Sequence, residues 1–76
     1  MQFDFSDTRA QLGDHLRALR REAKLSQEDL ADLTGLTANY IGMVERAERR
    51  ITIEAAMSVA KALNVKLSDI LRAVGE

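Results

Sequence analysis

Two helix-start signals stand on either side of a glycine between Ser26 and Thr37. Ser26 is followed three residues later by Asp29, ahead of Leu30, Ala31 and Leu33. A hydroxyl at the N-cap accepts a backbone N–H, and an acidic side chain at N3 returns the bond, so this pattern begins a helix. Gly35 ends that helix, because glycine enters the left-handed region without steric penalty. Thr37 then caps a second helix whose apolar face is Tyr40, Ile41 and Val44. Two short helices, about 27–34 and 38–46, must pack on each other across a tight turn. Ala31 leaves room where they cross, and Leu30, Leu36, Ile41 and Val44 supply the apolar contacts. This is a helix-turn-helix arrangement, whose second helix can enter the DNA major groove. On spacing alone, an αα-hairpin that serves only packing fits equally well.

The flanking segments are helical too. Leu12, Leu16, Leu19 and Ala23 recur at helical spacing and predict a helix at about 7–24, capped by Ser6, Asp7 or Thr8. Thr52 caps a helix at about 53–63 whose stripe is Ile53, Ala56, Met57, Ala60 and Leu63, with Asn64 as its stop. Ser68 and Asp69 begin a last helix at about 68–74, lined by Leu67, Ile70, Leu71 and Val74. No segment alternates with period two for the length of a strand. The expectation is one all-α domain of five helices over residues 1–76. A domain near this size buries only ~60% of the surface its unfolded chain exposes. The thin core makes a second copy a natural support. Leu67, Ile70, Leu71 and Val74 are therefore candidates both for closing the core and for a dimer interface.

Much else is excluded. The chain has no Cys, so disulfides and thiolate zinc sites are ruled out. His15 is the single histidine, so a metal site is not expected and a surface position is. There is no phosphate-cradling glycine loop and no recognisable acid/base pair, so neither an enzyme nor a cofactor is expected. The acidic start MQFDFSD lacks the basic leader of a signal peptide, and no apolar run reaches the ~18–20 residues of a membrane span. A soluble cytoplasmic protein without membrane contact is the expectation. The formal net charge is −1, from 11 Lys+Arg against 12 Asp+Glu. That argues against a generally basic nucleic-acid coat but leaves room for a local patch. Arg46, Arg49 and Arg50 form one, with only Glu48 among them.

The stretch SQEDLADLTGLTANYIGMVERAER resembles the lambda-repressor/Cro-like (XRE-type) helix-turn-helix family of transcription regulators. Leu19-Arg20-Arg21 ahead of Leu25-Ser26-Gln27 is similar to the end of the family's first helix. Tyr40-Ile41 with Val44-Glu45-Arg46 is similar to its third, and Ala60-Lys61-Ala62-Leu63-Asn64-Val65 to the end of its fourth. The likeness runs over about residues 12–72. In its small size the chain also resembles the controller proteins of restriction–modification systems. The resemblance implies a compact lambda-repressor-like DNA-binding fold. It further implies a homodimer on an approximately palindromic double-stranded operator, with two recognition helices ~34–36 Å apart. Such a regulator blocks RNA polymerase or contacts it. An antitoxin-like protein-interaction module and a nonspecific architectural DNA binder are the alternatives.

The resemblance also implies residue roles. Gln27, at the positive end of its helix, would hold a phosphate, or else lie solvent-exposed. Thr37 would cap the helix at 38–46 and also touch phosphate, or serve as a cap alone. Opposite the apolar face of helix 3 lie Ala38, Asn39, Gly42, Met43 and Arg46. Asn39 can pair with adenine, and Ala38 and Met43 can meet thymine methyls. Gly42, at about 1 kcal/mol of helix propensity, would let the backbone approach the groove. A packing face against another protein is the alternative for Ala38, Gly42 and Met43. Arg46, Arg49 and Arg50 are phosphate candidates, although Arg46 could simply support the helix C-terminus, Arg49 could pair with Glu48, and Arg49 and Arg50 could reach a minor groove. Arg17, Arg21 and Lys24 read as a solvated face. The family often carries Arg or Gln on the outer stripe, and their absence points to few base hydrogen bonds and to readout of DNA shape. Arg20 and Glu45 would form an ion pair between helices 1 and 3, costing about 3–5 kcal/mol if one buried partner is lost. Ala47 stands where the family usually has Gly, and Ile51 where Pro is common. Helix 3 is then expected to end later, or its following loop to differ.

Overall fold

The computed structural model describes residues 5–72. Among these residues five helices form: α1 Ser6–Glu22, α2 Gln27–Thr34, α3 Ala38–Glu45, α4 Ile53–Leu63 and α5 Leu67–Leu71. The three central helices begin as their capping residues dictate. Ser26 Oγ accepts the Asp29 N–H at 3.0 Å, and Asp29 Oδ2 accepts the Ser26 N–H at 2.9 Å. That backbone bond, with the one from the hydroxyl, holds the Asp29 carboxyl below its usual range. Thr37 Oγ1 accepts from Tyr40 N, and Thr52 Oγ1 from Ala55 N, each at 3.0 Å. Gly35 (φ 79°) and Asn64 (φ 57°) end α2 and α4 in the left-handed region.

The outer helices differ from expectation. The N-cap of α1 is Phe5, so Ser6, Asp7 and Thr8 all lie inside the helix instead of capping it. α1 also stops earlier, at Glu22, because the Lys24 backbone turns to φ 61° and the N–H groups of Lys24 and Leu25 bond back to Arg21 and Arg20. Ala23 is consequently exposed. The N-cap of α5 is Lys66, whose N–H donates to Asp69 Oδ2 at 3.0 Å. Ser68 is therefore inside α5, and Val74 lies outside the described residues.

The core gathers Leu16, Leu30, Ile41, Val44, Val59 and Ile70, so every helix contributes. α4 turns a different face inward than its large side chains suggest. Ala55, Ala56, Val59 and Ala60 are buried, whereas Ile53 and Met57 are 60% and 55% exposed. The small alanines let the α4 backbone approach its neighbours and leave the bulkier side chains outside. α5 is anchored by Ile70, which is fully buried, and by His15, which donates from Nε2 to the Asp69 carbonyl at 2.8 Å. His15 is thus a half-buried tie between α1 and α5, not a surface residue. No helix among the described residues is long and apolar enough to cross a membrane.

Candidate nucleic-acid interface

α3 has only eight residues, too few to hold an orientation alone. Its last turn is clamped onto α1. A Cβ at Gly13 would stand 2.6 Å from the carbonyl oxygens of both Val44 and Glu45, so α1 presents bare backbone to the end of α3. Beside this crossing Glu45 is 3% exposed and Arg20 7%. Arg20 donates to both carboxylate oxygens, from Nε at 2.7 Å and from Nη2 at 3.0 Å. Its Nη1 donates to the Leu25 carbonyl at 2.8 Å. Gln27 Nε2 adds a bond to Glu45 Oε1 at 3.1 Å, and Arg17 Nη2 bonds the Glu45 carbonyl at 3.2 Å. Burial pushes the Glu45 carboxyl up. The hydrogen bonds from Arg20, Gln27 and Arg17, with the Arg20 charge, outweigh that and hold it below the ordinary range. The Arg20 guanidinium is in turn raised, first by its bond to Glu45. An isolated buried charge is strongly unfavourable; this one is saturated. The implied ion pair between α1 and α3 is present, with Arg17 as a third member rather than part of a solvated face.

The opposite side of α3 faces solvent beside the start of α2. Ser26, Gln27, Glu28, Ala38, Asn39, Gly42 and Arg46 line one open cleft with Arg20 at its base. Asn39 is exposed, and its amide leans on Met43, with Nδ2 3.5 Å from Sδ. Ala38 and Met43 are half-buried. Gly42 shares their stripe but is buried, because two side chains fold over it. A Cβ there would stand 2.9 Å from Arg46 Nη1 and 3.3 Å from Gln27 Oε1. In this arrangement Gly42 lines the cleft floor, and its missing Cβ leaves the space that Gln27 and Arg46 occupy over it. Gln27 is half-buried, neither free in solvent nor committed to the cleft alone, since one amide proton goes to Glu45. Thr37 is exposed and its hydroxyl caps α3.

The chain after α3 departs from expectation. α3 does not run on: Arg46 is its C-cap, and Ala47 itself takes φ 63° in the place where glycine is usual. The turn brings the Glu48 N–H to the Met43 carbonyl at 2.8 Å. Glu48 then meets Arg46, through Nε–Oε2 at 3.1 Å and Nη2–Oε1 at 3.2 Å, and this pair raises the Arg46 guanidinium. Arg49 is not the partner of Glu48; its guanidinium carbon lies 5.8 Å from the centre of the Tyr40 ring. The Tyr40 hydroxyl donates to the Arg50 carbonyl at 3.3 Å and accepts the Thr52 N–H at 3.2 Å. Tyr40 is therefore a loop anchor as well as an apolar contact. Arg46, Arg49 and Arg50 are all exposed. Sequence reasoning missed Gly13, Arg17 and the Tyr40 hydroxyl. An unexplained glycine inside a helix was the one available signal, since it weakens the helix unless close packing needs it.

The dimer candidates separate. Ile70 is consumed by the monomer core and cannot line an interface. Leu67 is half-buried, and Leu71 is 37% exposed. Ile53 and Met57, one helical turn apart on α4, are the larger exposed apolar pair.

The sequence pattern of the helix-turn-helix family matches residues 16–70. Control protein C.SmaI of Serratia marcescens is 41% identical over 71 residues, covering 93% of this chain and 84% of that protein. Among solved structures, the restriction–modification controller protein C.AhdI of Aeromonas hydrophila superposes with a TM-score of 0.82 at 36% identity, covering 84% of this chain and 97% of that one. The P22 c2 repressor, solved in complex with a synthetic operator, superposes with a TM-score of 0.75 at 27% identity over 82% of this chain and 94% of its own. With its capped helix pair, its clamped third helix and these matches, the chain belongs to the XRE-type helix-turn-helix family of transcriptional regulators.

Proposed function

We propose that this chain is a sequence-specific DNA-binding regulator that occupies an approximately palindromic operator as a homodimer, with α3 in the major groove. The observation that carries the reading is the contrast across α3. Its inner side is locked by Arg20 and Glu45, while its outer side offers Asn39 to solvent in a cleft flanked by Gln27 and Arg46, with the half-buried Met43 against the Asn39 amide. A short helix held at a fixed angle with small, uncharged side chains outward suits close approach to base edges. Asn39 reads adenine through its amide, and Ala38 and Met43 touch thymine methyls. Gln27, Thr37, Arg46, Arg49 and Arg50 hold phosphates and set the register. Gly42, without a Cβ on the cleft side of α3, lets the helix backbone approach the groove. Ile53 and Met57 with Leu71 are the surface through which two copies join. Residues 1–76 act as one cytoplasmic unit that blocks RNA polymerase or contacts it at the promoter.

The support from relatives points the same way: one is named a control protein, one a restriction–modification controller, and one was solved on operator DNA. The test is selection of binding sites from random duplex DNA. An enriched, roughly palindromic motif is expected, and Asn39→Ala with Met43→Ala should change it. Recovery of no motif with the unaltered protein sinks the reading.

A further inference from the structure

We infer that Glu48 is an internal stand-in for a DNA phosphate: it holds the Arg46 guanidinium in the free protein and must release it before Arg46 can bind the nucleic-acid backbone. The inference rests on the DNA-binding reading above. The first support is which edge of Arg46 is taken. Nε and Nη2 form the two-donor fork that would receive a phosphate, and both point to the two oxygens of one carboxylate, at 3.1 and 3.2 Å. The second is pose. Nη1 stands 2.9 Å from where a Gly42 Cβ would be, so the guanidinium lies along α3 instead of reaching outward. The third is exposure. The Arg46 and Glu48 side chains are 49% and 55% exposed, so the pair is solvent-screened and readily exchanged.

An acidic group beside a phosphate-binding arginine is repulsive to DNA, whereas no structural need for Glu48 is evident in its side-chain contacts, which are to Arg46. The turn at Ala47 makes the pair possible by folding Glu48 back toward α3. Of the three arginines in residues 46–50, one is therefore neutralised before DNA arrives. The consequence is a lowered affinity for any duplex, because nonspecific binding is almost wholly phosphate electrostatics.

The test measures affinity on a selected operator and on a scrambled duplex across a salt series. It uses the intact protein and the variants Glu48→Gln, Arg46→Gln and their double. Glu22→Gln, at the end of α1, is the control for net charge. Melting of each variant confirms folding, which an exposed pair should not disturb. Glu48→Gln is expected to tighten binding to both duplexes about two- to fivefold per protomer. It should also steepen the salt slope by up to about 0.9 per protomer. The Glu22→Gln change should be smaller, and the gain should vanish when Arg46 is also replaced. Glu48→Gln binding no tighter than Glu22→Gln overturns the inference, as does a gain that persists undiminished without Arg46. Loss of operator binding in Glu48→Gln would instead make Glu48 an orienting partner and equally overturn it. These outcomes differ from failure of the DNA reading, in which the unaltered protein selects no motif.

Discussion

The two faces of α3 are held by opposite means. On the inner face Glu45 is buried and every strong contact crosses to another helix or to the start of α2: Arg20, Arg17 and Gln27 converge on it, and Gly13 lets the backbones touch. On the outer face the bonds are local and exposed, Asn39 with Met43 and Arg46 with Glu48. Eight residues therefore carry both a rigid mount and an adaptable surface. Changes on the inner face should alter stability and leave base preference as a secondary casualty. Changes on the outer face should alter what is read with little effect on stability.

Replacing Glu45 by Ala is expected to produce the largest loss, about 3–5 kcal/mol by urea unfolding, because Arg20 stays buried without its partner. A loss below about 1 kcal/mol would break the contrast. The same carboxylate sets a pH dependence. Its folded pKa is depressed, so its stabilisation is complete above the ordinary carboxylate pKa of about 4.3 and drains as pH falls through the lower folded value. The urea midpoint should fall steeply below about pH 4, and less steeply in Glu45→Gln. Next comes Gly13→Ala, whose Cβ would collide with two carbonyl oxygens. We expect a net loss of about 1–3 kcal/mol, even though Ala is the better helix former. Ala47→Gly should gain about 1 kcal/mol by relieving the positive φ, and calorimetry would register a higher Tm. The smallest stability effect, within about 0.5 kcal/mol, belongs to Asn39→Ala. That variant sharpens the comparison, since its selected DNA motif should nevertheless change.

Features set by neighbours in sequence were legible. Ser26, Thr37 and Thr52 cap the helices they were expected to cap, because a capping bond spans three residues. Gly35 and Asn64 end helices for equally local reasons. What depended on distant partners was not legible from pattern. Arg17 reads as one more surface cation until α3, 28 residues further on, brings the Glu45 carbonyl to it. His15 meets the Asp69 carbonyl across a separation of 54 residues. Periodicity located the amphipathic character of α4 but favoured Ile53 and Met57 over Ala55 and Val59, since it weighs size where close approach rewards smallness. In the candidate site, the composition of the outer stripe was readable. The folding of Arg46 and Gln27 over Gly42 was not, because it depends on where α3 ends and on the seating of α2.

The alanine at φ 63° after α3 also sets apart the two corners that flank this helix. An isolated segment would leave that conformation, whereas the turn at Gly35 is already comfortable by itself. The α2–α3 corner can therefore form early from local preference. The α3–α4 corner is held instead by the Tyr40 hydroxyl, which bonds the Arg50 carbonyl and the Thr52 N–H. Removing that hydroxyl in Tyr40→Phe should speed exchange of the Glu48 amide with solvent. The arginines at residues 49 and 50 thus ride on a corner whose shape is set by a tertiary grip rather than by local backbone preference.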